Sequence, residues 1–242
     1  MIGKTAWLGL VIGLGMAAPL TAQTGLQVPA GTPRFNVGGA LVVGQPVGEF
    51  QNYIDVGFGL IANGRYNLDA AGVVSLRADL SFLNYGNETK QVCLGGGAGC
   101  RITLDLTTSN NIVGGNFGLH FMAPSGPIRP YAHGGIGFSY FATESRVKGT
   151  NNSEDFANTT NFDDGTFAWI AGGGFHIPVS HGRTPISIDI GARYDRNGRV
   201  AYLTEGGITD NPDGTIHLDP IRSDANLVKY YIGVNVGIPG GR

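Results

Sequence analysis

Val74-Ser75-Leu76-Arg77-Ala78-Asp79-Leu80-Ser81-Phe82 alternates without a break. Val74, Leu76, Ala78, Leu80 and Phe82 fall on one face, and Ser75, Arg77, Asp79 and Ser81 fall on the other. A two-residue period belongs to a strand with one apolar and one polar side. Working outward, the same period recurs about eight times between Phe35 and Ile238. The apolar faces begin at Phe35, Val56, Val74, Val113, Ala132, Phe167, Ile186 and Tyr230.

The connections sort by length. Residues 67–72, 124–127 and 178–185 are short, and all join strands at one end. Residues 45–55, 84–110, 143–165 and 195–226 are longer, polar, and fall at the other end. Short turns on one side and long loops on the other is how membrane β-barrels are built. An even strand count returns both termini to one side. Within the last long connection, Asp213-Gly214 flanked by extended residues predicts a projecting hairpin.

Composition points the same way. Of 242 residues only 14% are charged, and 41 are glycine. A water-soluble domain carries about 25% charged residues. The lysines stand at positions 4, 90, 148 and 229, none in the middle of a predicted strand. The mid-strand charges Arg65, Arg77, Asp79, Asp189 and Arg193 all occupy the polar phase. These features predict a lipid-facing apolar exterior and a narrow lumen, in which Arg77 with Asp79 and Asp189 with Arg193 form a charge network that plugs the interior. A soluble barrel with its apolar side inward is the competing arrangement. It would want many Lys and Glu outside, and this chain lacks them. A net charge of -2 and the lack of a basic patch with aromatics exclude a nucleic-acid partner.

On the apolar face, Phe35, Tyr66, Phe121 and Phe175 lie near the short-turn end. Phe82, Tyr140, Phe167, Trp169, Tyr194 and Tyr230 lie near the long-loop end. Two aromatic bands around an aliphatic waist predict girdles at the two headgroup layers.

The N-terminus has the three parts of a secretory signal: Lys4, an apolar run from Trp7 to Ala18, and Leu20-Thr21-Ala22 before Gln23. The expected organisation is a signal peptide over 1–22, a periplasmic lead-in over 23–33 and a barrel over 34–242. The two cysteines, Cys93 and Cys100, enclose six residues. In an exported chain they are expected to form a disulfide, worth about 2–3 kcal/mol by the chain-entropy argument.

The pattern resembles the OmpA/OmpX-type barrels and the wider family of bacterial outer-membrane β-barrel domains, from about Arg34 to Ile238. The resemblance rests on strand periodicity and loop asymmetry rather than on a short motif. It implies an all-β, eight-stranded antiparallel transmembrane barrel with short periplasmic turns and four long extracellular loops. It also implies a place in the bacterial outer membrane, insertion by the barrel-assembly machinery, and contact with lipid and lipopolysaccharide. The chain departs from the usual aromatic terminus, ending Val236-Gly237-Ile238-Pro239-Gly240-Gly241-Arg242. With nothing after the eighth strand, the peptidoglycan-binding domain of full-length OmpA is expected to be absent.

Three functions compete. The first is a non-enzymatic anchor whose exposed loops serve envelope integrity, adhesion or partner binding. The second is a narrow OmpW-like channel for small or apolar solutes, with lumenal glycines (Gly57, Gly59, Gly114, Gly118, Gly135, Gly137, Gly172, Gly174) leaving a hollow. Bending of the closing strands is the other use of those glycines. The third is a hydrolase, which needs a nucleophile, a base and an orienting carboxylate. His120, His133 and His176 share the inward phase, with Ser139 and Asp189 elsewhere, but their depths do not obviously converge. No catalytic, cofactor or metal site is predicted. Asp163-Asp164-Gly165 and Asp210-Asn211-Pro212-Asp213-Gly214 lack the full calcium-loop spacing and read as turns. The three Asn-X-Ser/Thr matches, at Asn87, Asn151 and Asn158, carry no meaning in a bacterial outer membrane.

Overall fold

The computed structural model describes residues 32–94, 102–149, 155–182, 184–210 and 216–239. The expected signal peptide and most of the lead-in lie outside the described residues. So do Cys100 and the side chain of Cys93, and with them the expected disulfide.

Eight strands close into an antiparallel ring. In chain order they are β1 (Phe35–Pro46), β2 (Gly57–Asn67), β3 (Val74–Leu94), β4 (Ile102–Met122), β5 (Arg129–Gly149), β6 (Asp155–Ser180), β7 (Ile186–Asn197) and, last, β12 (Leu227–Ile238). Neighbours in sequence pair, and β1 closes on β12 through Phe35↔Ile238 to Pro46↔Leu227. Between β7 and β12 lie four short strands, β8 (Arg199–Tyr202), β9 (Ile208–Asp210), β10 (Ile216–Leu218) and β11 (Ile221–Asp224). β9 pairs with β10 and β8 with β11. The first pair is the hairpin expected around Asp213-Gly214, whose tip lies outside the described residues.

The alternation sets what faces where. Leu80, Phe117 and Ile136 are 68%, 56% and 60% exposed on the outer wall, while Arg77, Asp79 and Arg193 are buried within the ring. Ile188 shares the outward phase of Ile186 and Ile190, which are both exposed. Such an inside-out distribution would be unstable in water and is what a lipid solvent demands.

The short connections match expectation, and one shows how a turn is held. Asp69 accepts backbone N–H bonds from Val74 (2.7 Å), Ala71 (3.0 Å) and Val73 (3.2 Å), and Gly72 takes φ +68° to complete the reversal. Those donors, Val74 first, hold the Asp69 carboxyl below the usual carboxylate range.

The long connections differ from expectation. Residues 84–110 and 143–165 are mostly strand rather than loop. β3 and β4 stay paired from Val74↔Phe121 to Leu94↔Ile102, and β5 and β6 stay paired from Arg129↔His176 to Lys148↔Asp155. β4 and β5 pair alongside them up to Leu104↔Gly149. A four-stranded sheet therefore rises out of one side of the ring. Past Phe82, β3 continues to Leu94, about 40 Å of strand at its usual rise. Beyond Gly86 both faces of β3 meet water, and Asn87, Glu88, Thr89, Lys90 and Gln91 occupy them. The apolar signal fades while the hydrogen-bond ladder persists. A β-bulge between Asn84 and Gly86 marks the step.

Glycine is required where strands cross closely. Gly118 faces Gly135 across the β4–β5 pair, and a Cβ on Gly118 would strike the Gly134 carbonyl. The lumenal glycines thus serve close backbone approach rather than a hollow.

Candidate functional site

Inward-pointing residues fill the barrel in three levels. At the long-loop end the filling is apolar. Leu83 and Tyr85 from β3, Ile112 from β4, Phe141 from β5 and Leu227 from β12 converge there. A single 3-10 turn, Phe50–Asn52, drops Phe50 into their centre, where it is 0% exposed. Its ring meets Tyr202, Tyr85 and Phe141 edge-on at 5.0, 6.0 and 6.2 Å between centroids. The connecting segments lock this stopper. Tyr85 Oη donates to the Leu203 carbonyl (3.3 Å), Val47 N–H to the Asn226 carbonyl (3.0 Å), and Ala201 N–H to Asp164 (2.8 Å).

The middle level is ionic. Arg77 contacts Asp79 through Nη2 (2.9 Å) and Nε (3.0 and 3.1 Å). Arg193 lies 3.9 Å from Asp79, and meets Asp195 through Nε at 2.9 Å and through an Nη2 hydrogen bond of 3.2 Å. Lys229 reaches Asp195 at 2.7 Å. The result is a ladder of alternating sign, Arg77–Asp79–Arg193–Asp195–Lys229, strung across β3, β7 and β12. Every member is buried.

This corrects one expectation. Asp189 does not pair with Arg193. The two share a face but stand four residues apart, about 13 Å along a strand, whereas Arg193 and Asp195 are two apart and adjacent. Lys229, the third residue of β12, joins the ladder at 2% exposure.

The level nearest the short turns is polar and aromatic, and here the three histidines do converge. His120 and His133 face each other across β4 and β5, and His176 faces Asp189 across β6 and β7. Tyr131 stacks on His120 at 4.7 Å between centroids and meets His176 edge-on at 4.9 Å. Tyr131 Oη donates to Asp189 (2.6 Å) and is 2.8 Å from Tyr231 Oη. Asn235 Nδ2 donates to the second Asp189 oxygen (3.0 Å). Arg65 Nη1 donates to His120 Nε2 (2.9 Å), which leaves that ring's proton on Nδ1.

Ser187 Oγ lies 3.2 Å from His176 Nδ1, and His176 Nε2 lies 3.6 Å from Asp189. The second distance is too long for a hydrogen bond, and Tyr131 and Asn235 already occupy both Asp189 oxygens. His176 is not oriented as a general base. Ser139 is elsewhere, bonded to Asn197 at 2.8 Å. Among the described residues, no group of three or more His, Cys, Asp or Glu side chains is disposed to hold a metal ion.

Arg65, Arg77, Asp79, Asp189 and Arg193 thus all line the interior, shared between the ionic level and the turn-side cluster. All ten aromatics singled out for the girdles, Phe35, Tyr66, Phe82, Phe121, Tyr140, Phe167, Trp169, Phe175, Tyr194 and Tyr230, are exposed on the outer wall. Arg196 packs over the Trp169 ring at 5.4 Å. Sequence reading missed Asp195 and Lys229, and it missed the stopper entirely. The signal for the stopper was available: Leu83, Tyr85 and Phe141 are apolar residues in the otherwise polar phase.

No protein-family model matches the chain, and no curated protein does either. Among solved structures, the chain is similar to Neisserial surface protein A at 12% identity and a TM-score of 0.39, over 84% of this chain and 97% of that one. It is similar to Ail, the attachment invasion locus protein of Yersinia pestis, at 13% identity and a TM-score of 0.37, over 85% and 97%. A major outer membrane protein from Thermus thermophilus gives 11% identity and a TM-score of 0.40, over 82% and 98%. The assignment of the architecture rests on the strand pairing itself, with an apolar outer wall and buried charges within the ring.

Proposed function

We propose that this chain is a non-enzymatic integral protein of the bacterial outer membrane, an OmpA/OmpX-like barrel that anchors a surface-exposed sheet for adhesion, partner binding or envelope integrity. The observation that carries this reading is the pairing of a stoppered barrel with a sheet rising from the stoppered end. The apolar wall and its aromatic bands match a bilayer and its headgroup layers. Lipid and lipopolysaccharide are then the immediate neighbours, and the barrel-assembly machinery is the route of insertion. The periplasmic side is the one with the short turns.

A channel is disfavoured by the filling. A solute would have to pass the Phe50 cluster and then the ion ladder, both built of buried side chains. Hydrolysis is disfavoured by the 3.6 Å gap between His176 and Asp189.

Two measurements on one protein test the proposal. An epitope inserted after Lys90 is expected to be antibody-accessible on intact cells. One inserted after Ser125 should become accessible only once the outer membrane is opened. The refolded barrel is expected to be silent in a planar bilayer. Steady single-channel current, or the reverse pattern of accessibility, refutes the reading.

A further inference from the structure

Beyond anchoring, the barrel is hollow at the end opposite the sheet. A cavity of about 430 Å³ opens between the three short turns, with Gly72, Ser125 and His181 on its rim and Asn36, Arg65 and Asn235 on its floor. Arg129 and His176 form the wall between them. Among the described residues, no Asp or Glu lines it.

The bonding of the wall shows what is missing. Arg65 is 4% exposed and sits within 4.0 Å of no carboxylate among the described residues. Its Nη1 is engaged with His120 and touches the Met122 sulfur at 3.6 Å, while its Nε is buried without an acceptor. Arg129 donates from Nε to the Ala123 carbonyl (2.7 Å), and its Nη2 has no acceptor. Asn36 Nδ2 is also buried without one. The unpartnered groups are therefore mainly N–H donors, two of them on guanidinium. Burying cations this way is costly unless an anion arrives. Two further atoms lack partners: Asn235 Oδ1, which needs a donor, and His176 Nε2, which donates or accepts according to the ring's tautomer. A partly protonated phosphate offers both a donor and acceptors.

We propose that this turn-side cavity binds a small soluble phosphate-bearing anion. Arg65 and Arg129 take its charged oxygens, and Asn36 and Asn235 complete the set. Guanidinium groups suit this task because their planar donors match phosphate geometry. The opening lies inside the ring of turns, so the ligand comes from the aqueous space on that side and not from the surrounding lipid.

The test is calorimetric titration of the folded barrel in sugar-headgroup detergent with inorganic phosphate and with glycerol phosphate, against sodium chloride at matched ionic strength. The expected result is saturable heat with the phosphates and none with chloride. Arg129→Gln should weaken binding at least tenfold, and Arg65→Gln should abolish it. Arg129 is only half-buried, so its variant is readable even where Arg65→Gln fails to fold. Arg196→Gln, at the far end on Trp169, should bind as the native protein does. The proposal is overturned by an absence of saturable heat, by an equal response to chloride, by undiminished binding in Arg129→Gln, or by an equal loss in Arg196→Gln.

Discussion

Replacing Asp195 by alanine removes the shared partner of Arg193 and Lys229. Arg193 then retains only Asp79, at 3.9 Å, which Arg77 already occupies at 2.9 Å. Lys229 keeps one weak contact, to Ser81 Oγ at 3.5 Å. A buried cation is left uncompensated, and breaking a buried pair from one side costs about 3–5 kcal/mol. Lys229→Met applied on top of Asp195→Ala removes one of the two stranded cations and returns the ladder to its native net charge. The double variant is therefore expected to recover most of the loss, to within about 1–2 kcal/mol of native, since apolar replacement of a whole buried pair is close to neutral. Urea unfolding in micelles, read by the gel shift between folded and boiled protein, measures both variants against native. A loss under about 1 kcal/mol for Asp195→Ala, or a double variant as unstable as the single losses summed, refutes the ladder.

Other expectations are more local. Gly118→Ala should leave little folded barrel, because its new Cβ meets the Gly134 carbonyl, whereas Gly39→Ala has open space and should change stability by no more than about 1 kcal/mol; the folded fraction on an unboiled gel separates them. Phe50→Ala should cost about 3–5 kcal/mol as a cavity at the centre of the stopper, yet leave the bilayer silent because the ion ladder still blocks the bore. Asp69→Asn tests the turn. The native carboxylate, held below its unfolded value, contributes fully above about pH 4 and loses that contribution as pH falls through its folded value. The stability gap between native and Asp69→Asn should therefore be flat from neutral to mildly acid pH and close in stronger acid, as urea midpoints across pH would show.

Which features were legible depends on where each meets its solvent. Within the lipid-facing zone, neighbouring side chains face opposite media, so Val74 to Phe82 displays its strand and its phase together. Above Gly86 both faces of β3 are wet, and Asn87, Thr89 and Gln91 carry no alternation, although the ladder to β4 continues to Leu94. Strand and loop look alike there because pairing, not side-chain polarity, sustains the structure. The same blur at the end of β7 placed Asp195 in a connection and hid the partner of Arg193. Lumenal contacts such as Arg65 with His120 join strands 55 residues apart, and only the register brings them to one depth. Leu83 and Phe141 were visible as exceptions to a polar phase, but their purpose depends on Phe50, a residue from a connection that period cannot place.

The ring has no free margin, since β1 meets β12, but the sheet above it has two. Among the described residues, β3 beyond Asn84 lacks a ladder partner on its β2 side, and β6 before Asp164 lacks one on its β7 side, while Gly198 and Ala201 cover β6 between Asp164 and Phe167. Main-chain amides and carbonyls there can zip onto any extended segment that approaches, with little regard to its side chains. Attachment along such a seam tolerates sequence drift at the outermost residues. Its danger is self-adhesion, and the charges at Glu88 and Lys90 on β3 and at Asp163 on β6 stand where they would discourage two copies from zipping together.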